Sequence, residues 1–313
     1  MKISFVIPCY RSEGLVGKVI SEIYAAADAT CVYEIIAVDD CSPDNVLAEL
    51  KAYAQNDDRL KVIALAKNSG KHSALMAGFS IARGDIIVCV DDDGQCPLNR
   101  LDDLLAPLYS GYDISIARYG AKKQSGFKNF GSAVNAKMAC WLLDKPGDLQ
   151  LSNFVAMKSF VCREILRYKN AFPYIDGLML RATSHIANVD MEERSRISGT
   201  SGYTFFKSLR LFANGFTAFS VKPLRVATML GAASALIGFA FGVIVVVRKI
   251  ARPDILAGYS SLMAMLLLIG GLIMLLLGVI GEYIGRIYIC LNNAPQYVIR
   301  ETINCGDKTE VES

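Results

Sequence analysis

None of the nine cysteines stands in a C-x-x-C pair, and their number is odd. Disulfide scaffolds and zinc sites both read poorly on such spacing, and a reducing, cytosolic setting fits better. An excess of one charge is also lacking. The 33 Lys and Arg against 30 Asp and Glu leave a net charge of +3, far too weak for a nucleic-acid partner. A leader is missing as well: "MKISFVIPCY" breaks at Pro8 after the short run Ile3–Ile7, which reads as a strand rather than a signal-peptide core. Histidine is rare, and His72 reads as a helix-surface residue rather than a ligand.

Apolar residues, by contrast, are abundant. They make up 53% of the 313-residue chain, and the mean hydropathy is +0.34. The excess is local. Residues 1–202 have a mixed composition, enough for one α/β domain with a core of its own. Two uncharged runs follow, 226–247 and 262–281, each of the roughly 20 residues that a helix needs to cross a bilayer. The short link between them makes the pair a helical hairpin with both ends on one side. Lys207, Arg210, Lys222 and Arg225 precede the first run, and Arg248, Lys249 and Arg252 lie in the link, so flanking charge discriminates weakly between orientations. From the thiols read as reduced and a start that does not read as a leader, the large domain and both termini are expected in the cytosol. Between domain and hairpin, 203–222, Phe205, Leu209, Phe212, Phe216 and Phe219 recur at spacings of four and three, opposite Lys207, Arg210 and Asn214. That pattern predicts an amphipathic helix in the plane of the interface; packing on the soluble domain is the alternative. Residues 291–313 are read as a cytosolic tail.

Within the large domain, apolar strand patterns alternate with helical ones. Strands are predicted at Ile3–Ile7, within "YEIIAVDDCS", at "LKVIALA" and at Ile86–Val90; helices at Gly14–Ala27, Val46–Gln55 and His72–Ala82. This alternation implies a doubly wound, mainly parallel sheet, in which ligands bind beyond the carboxyl ends of the strands. Pro8–Tyr10, Asp39–Asp40 and Asp91–Asp93 all fall at such ends.

The stretch "IIVCVDDDGQCP" is the sharpest signal. Three carboxylates after a buried strand repel one another and resist desolvation unless a positive charge sits among them. They form either a solvated turn or a metal site. Asp91 and Asp93 alternate with Asp92, so the first and third can face one site, and Gln95 can add an oxygen. Oxygen donors of this kind suit Mg²⁺ or Mn²⁺, completed by water and substrate phosphates.

"VIPCYRSE", "VDDCSPD", "KNSGKHSALMAGFSIARGD" and "VDDDGQCP" occur in the order seen in family 2 glycosyltransferases of the GT-A fold. "PGDLQL", "RISGTSGYTFFKSLRLFANGFTAFSVKPLR" and "GVIGEYIGRIY" resemble the branch that uses polyprenyl phosphates: dolichyl-phosphate mannose synthases and the bacterial undecaprenyl-phosphate glucosyl and aminoarabinosyl transferases. The resemblance runs to about Arg300. It implies a GT-A catalytic domain over 1–202, a juxtamembrane segment over 203–222 and a transmembrane hairpin over 223–290. It further implies an inverting transfer from a nucleotide sugar, UDP-linked by expectation, to a polyprenyl (undecaprenyl) phosphate on the cytosolic face of the inner membrane, for cell-envelope modification. A tetramer is compatible with the branch.

The same resemblance implies the site residues. Pro8, Tyr10, Glu13 and Asp39 match nucleotide-lining positions, and Asp91 joins them. Asp91, Asp93 and Gln95 match the set that holds the divalent metal. Asp148 matches the proposed catalytic base, Arg196 a basic residue at the reacting phosphates, and Arg118 and Lys128 basic residues toward the phosphates or acceptor. Two departures stand out: "YRSE" replaces the usual "YNE" at Glu13, and Ala294-Pro295 replaces an Arg-Pro. An acceptor phosphate is already largely ionised at neutral pH, with a second pKa of about 6, so Asp148 is expected to orient the acceptor or take a residual proton. Two other readings compete. A processive polysaccharide synthase would carry Gln-x-x-Arg-Trp, whereas the one tryptophan here is Trp141 in "ACWLL". A catalytically silent membrane scaffold would have no need of the acidic set.

Overall fold

The computed structural model describes residues 1–27, 32–120, 146–192, 194, 222–251, 258–292 and 294–306. The chain divides into two compact units, Met1–Tyr203 with Asn293–Ser313, and Thr204–Asn292.

The first unit is built on β1 (Lys2–Cys9), β2 (Val32–Asp39), β3 (Leu60–Leu65), β4 (Ile86–Cys89), β5 (Ile114–Tyr119), β6 (Val155–Lys158), β7 (Ile186–Met191) and β8 (Ile299–Ile303). They form one sheet in the order β7-β5-β6-β4-β1-β2-β3-β8. β1 pairs in parallel with β2 and β4, and β2 with β3. β6 runs antiparallel to both β4 and β5, and β8 antiparallel to β3. The other six strands therefore share one direction. The crossovers are α1 (Val16–Ala27), α2 (Val46–Ala54) and α3 (Lys71–Ile81), followed by α4 (Leu101–Tyr109), α5 (Ser159–Leu166) and α6 (Ile175–Ala182).

β1 is buried from Ile3 to Cys9 on both faces, which explains why it is apolar at nearly every position, Ser4 excepted, rather than alternating. Ile3, Phe5 and Ile7 meet Val16, Val19, Ile20 and Ile23 of α1, whose spacing puts them on a single helical stripe. Each such side chain contributes on the order of 1.5–3 kcal/mol by leaving water. α3 is buried almost all round, from Ser73 to Phe79. A Cβ at Gly78 would collide with Val6 Cγ1 of β1, so glycine there permits the helix to lie close on the sheet.

The predicted elements match within one or two residues. β4 ends at Cys89 instead of Val90, although the Val90 amide still donates to the Val6 carbonyl at 3.0 Å. The segment read as a tail departs from expectation. β8 pairs Val62 with Ile303 and Ala64 with Glu301, and Lys51 Nζ meets Glu301 Oε2 at 2.7 Å. "VIRETI" has β-branched residues at both ends and an unpaired β3 edge to cover, so the chain returns to its first domain.

The second unit holds α7 (Lys222–Ala251) and α8 (Tyr259–Leu291). At 1.5 Å per residue they are about 45 and 50 Å long, more than the roughly 30 Å of a hydrocarbon core. Their most apolar windows, Ala227–Ile244 and Leu268–Leu291, are only 6% and 0% buried within the protein. Leu236, Phe239, Leu268 and Met274 are each at least 70% exposed. These are not core helices of a soluble domain; they have the length and apolar surface of membrane spans. The amphipathic segment 203–222 lies, except for Lys222, outside the described residues.

Candidate active site

The carboxyl ends of β1, β2 and β4 lie side by side, and hydrogen bonds tie their loops together. The Tyr10 amide donates to Asp92 Oδ2 at 2.9 Å, and the Asp40 amide to the Cys9 carbonyl at 3.0 Å. The Arg11 amide donates to Ser42 Oγ at 2.9 Å, and the Ser42 amide to Asp39 Oδ1 at 3.0 Å. Arg11 and Cys41 both adopt positive φ, 56° and 52°. Backbone strain of about 1 kcal/mol or more at each is tolerated where the surroundings dictate the loop, as at binding sites.

The acidic triplet divides by role. Asp92 is turned inward; burial, above all, raises its pKa to about 6 against the Tyr10 hydrogen bond, with Asp91 and Asp93 adding repulsion. Asp91 Oδ1 receives Lys71 Nζ at 2.5 Å. Asp93 Oδ1 accepts the Gln95 amide at 3.1 Å, across Gly94, whose φ of 72° a side chain would strain. The Gln95 side-chain amide donates to the Arg194 carbonyl at 3.2 Å. Arg194 is itself held by Glu22 at 2.7 Å and by Asn99 Oδ1 at 2.5 Å.

Asp39 and Asp40 are 1% and 3% exposed, and burial raises both carboxyls above their usual range. Asp40 accepts the Ser69 and Gly70 amides at 2.7 and 2.8 Å, anchoring the loop that delivers Lys71 as the first residue of α3. Pro8 is buried in β1 opposite Val38, and Tyr10 is 43% exposed at the rim, with the Arg11 guanidinium 5.4 Å from its ring centre.

Several expected site residues are engaged elsewhere. The Glu13 carboxylate accepts the Asn45 amide at 3.2 Å and Asn45 Nδ2 at 3.1 Å, so it braces the start of α2. Arg118 forms a two-pronged pair with Asp190, Nε–Oδ1 at 2.5 Å and Nη2–Oδ2 at 2.7 Å. That pairing raises its pKa and lowers that of Asp190, while Asp148 adds a smaller attraction through space. Asp148 is exposed near Arg118. Lys128 and Arg196 lie outside the described residues.

His72 departs from its surface reading. It packs edge-on to Tyr174 at 5.2 Å and receives the Ile175 amide at Nδ1, 3.4 Å. Burial lowers its pKa, with Asp176 opposing. Sequence reasoning missed Lys71, Asp92 and the His72–Tyr174–Asp176 group. The Gly-Lys opening α3 and the middle member of the triplet were the signals for the first two. Nothing local marks Tyr174 and Asp176, whose place beside α3 comes from long-range packing.

A hard divalent cation fits the donor set in part. Asp91 and Asp93 supply carboxylate oxygens, the preferred ligands of Mg²⁺ and Mn²⁺. Among the described residues no three His, Cys, Asp or Glu side chains converge on one point, so a cation here depends on water and a substrate's phosphates to complete its shell.

A mainly parallel α/β sheet with acidic loops at the adjacent ends of central strands defines a ligand-binding crevice of the doubly wound class. Residues 4–167 match the family described as Glycosyl transferase family 2, and residues 222–287 match the GtrB C-terminal hairpin. The chain belongs to glycosyl transferase family 2. It is 31% identical over 307 residues to the uncharacterized glycosyltransferase YkcC of Bacillus subtilis, covering 97% of this chain and 95% of that one. Bactoprenol glucosyl transferase of the SfII prophage in Shigella flexneri is 28% identical, with 96% and 98% covered. The undecaprenyl-phosphate 4-deoxy-4-formamido-L-arabinose transferase of Proteus mirabilis is 30% identical, with 96% and 94% covered. Glucosyl-3-phosphoglycerate synthase of Mycobacterium tuberculosis, solved with Mn²⁺, UDP-glucose and phosphoglyceric acid, superposes with a TM-score of 0.50 at 21% identity, over 71% of this chain and 79% of that one. That last likeness is one of fold, and the fold is GT-A.

Proposed function

We propose that this glycosyltransferase moves a sugar from a nucleotide sugar, UDP-linked, to undecaprenyl phosphate with inversion at the anomeric carbon, anchored in the inner membrane by its hairpin with the catalytic domain on the cytosolic side. The adjacent carboxyl ends of β1, β2 and β4, which carry Asp39 and the stretch Asp91–Asp93, are the observation behind this reading, and full-length similarity to two transferases named for that lipid carrier supports it.

In the reaction an acceptor phosphate oxygen attacks the anomeric carbon. The bond from that carbon to the β-phosphate breaks, and the nucleoside diphosphate leaves. Asp91 and Asp93, with Gln95 beside them, would hold Mg²⁺ or Mn²⁺, whose Lewis acidity would stabilise the departing diphosphate. Pro8, Tyr10 and Asp39 line the nucleotide, and the strained Arg11 and Cys41 loops hold that surface in place beforehand. Asp148 orients the acceptor phosphate or receives its residual proton, since an ionised phosphate needs no strong base. Arg196 and Lys128 serve the phosphates, whereas the pair with Asp190 makes Arg118 a brace for the edge joining β5 and β7.

The test is a transfer assay with the detergent-solubilised full chain, Mg²⁺ or Mn²⁺, undecaprenyl phosphate and a panel of labelled nucleotide sugars. Lipid-linked label that disappears on chelation, and falls at least 100-fold in Asp93→Asn, is the expected result. No label from any donor, with the chain still folded, would sink the reading.

A further inference from the structure

At the acidic stretch, Lys71 forms a close ion pair with Asp91. Lys71 Nζ lies 2.5 Å from Asp91 Oδ1, and the two side chains are 35% and 19% exposed. The ammonium is not there by chance of a flexible stem. Its residue opens α3, and the preceding Ser69 and Gly70 amides are clamped by Asp40. Gly70 has a φ of 87°, a conformation that turns the chain sharply into the helix. Asp176 lies within electrostatic reach of the ammonium.

We propose that Lys71 is an internal counter-ion that competes with the divalent cation for Asp91, so that the cation enters tightly only when Lys71 is drawn off. The inference rests on the reading of Asp91 as a cation ligand. One carboxylate oxygen cannot serve a lysine ammonium at hydrogen-bond distance and a divalent cation at full strength, because the two positive charges would repel at close range. Breaking the pair therefore subtracts from cation affinity in the substrate-free protein. For a partly exposed pair, the penalty corresponds to roughly twofold to fivefold in the dissociation constant. A donor diphosphate relieves it by offering the ammonium another anion. The consequence is order: substrate-free protein holds the cation weakly, and the cation and the nucleotide enter cooperatively.

The experiment is titration of Mn²⁺ alone into the detergent-solubilised full chain, read by the electron paramagnetic resonance signal of free Mn²⁺, for wild type, Lys71→Gln and Lys71→Arg. Repeating it with saturating UDP establishes separately whether the site takes the cation. Lys71→Gln should bind Mn²⁺ about twofold to fivefold more tightly than wild type without UDP, while Lys71→Arg, which keeps the charge, should stay near wild type. The circular dichroism of both variants should match wild type. Unchanged or weaker Mn²⁺ binding by folded Lys71→Gln, in a protein that takes Mn²⁺ with UDP, would overturn the competition alone. Absence of Mn²⁺ binding in every chain, with and without UDP, would overturn the cation assignment and this inference together.

Discussion

Glu34 offers the sharpest test of how this sheet is held together. It lies on β2 with its side chain 3% exposed. Lys2 and Lys61 each reach Oε2 at 2.8 Å, Ser4 Oγ donates to Oε1 at 2.6 Å, and the Arg83 amide donates to Oε1 at 2.8 Å. One carboxylate thus ties together β1, β2, β3 and the turn into β4. Burial alone would raise its pKa, but these four donors outweigh burial and hold it at about 2, below its ordinary 4.5. By linkage a shift of that size corresponds to roughly 3 kcal/mol, less some screening around the half-exposed Lys2. Because the folded-state pKa is depressed, the contribution is complete above pH 4.5 and is lost as the pH falls toward 2. Glu34→Gln keeps the shape and removes the charge, leaving Lys61, 13% exposed, without its counter-ion. We expect it to destabilise the domain by about 2–3 kcal/mol at pH 7, and the gap from wild type to narrow steadily below pH 4.5. Urea unfolding of the detergent-solubilised full chain, followed by hydrogen exchange in β1–β3, measures both. A loss below about 0.5 kcal/mol at pH 7 would refute the electrostatic account, as would a loss of equal size at pH 3.

Two further outcomes follow from the same geometry. Asp40→Ala leaves the Ser69 and Gly70 amides without their acceptor and should cost about 2 kcal/mol. It should also raise hydrogen exchange at the start of α3 ahead of the rest of the sheet; uniform exchange would count against a local anchor. Ending the chain at Asn293 removes β8 and its four register pairs with β3, at roughly 0.2–1 kcal/mol each. Exchange in β3 should rise while β1 and β4 stay protected, and a protected β3 would mean that the edge strand is dispensable.

Much of this protein could be read from its residues alone. Runs such as Ile3–Ile7, apolar except for Ser4, and the wholly apolar Ile86–Cys89 favour burial on both faces, and their alternation with helical patterns points to a mainly parallel sheet. The uncharged runs inside α7 and α8 are equally explicit, because a helix of that length and composition has no other favourable solvent. The acidic triplet was legible as a site, since clustered carboxylates after a buried strand need a reason.

Tertiary structure decided what each of those carboxylates does. Asp92 faces inward to the Tyr10 amide and Asp91 faces Lys71, a division that depends on where α3 begins and not on spacing within the triplet. Arg118 and Glu13 carry charges that suit a phosphate or a ribose, yet their partners Asp190 and Asn45 are brought to them by pairing and packing distant in sequence. His72 looked like a surface residue because Tyr174 and Ile175, at the start of α6 and about 100 residues later, pack against it. The chain after the hairpin looked like a tail because a five-residue strand gains its stability from the edge it completes. Local pattern determines which residues must be buried or wet; the choice of partner across long loops is a property of the folded chain.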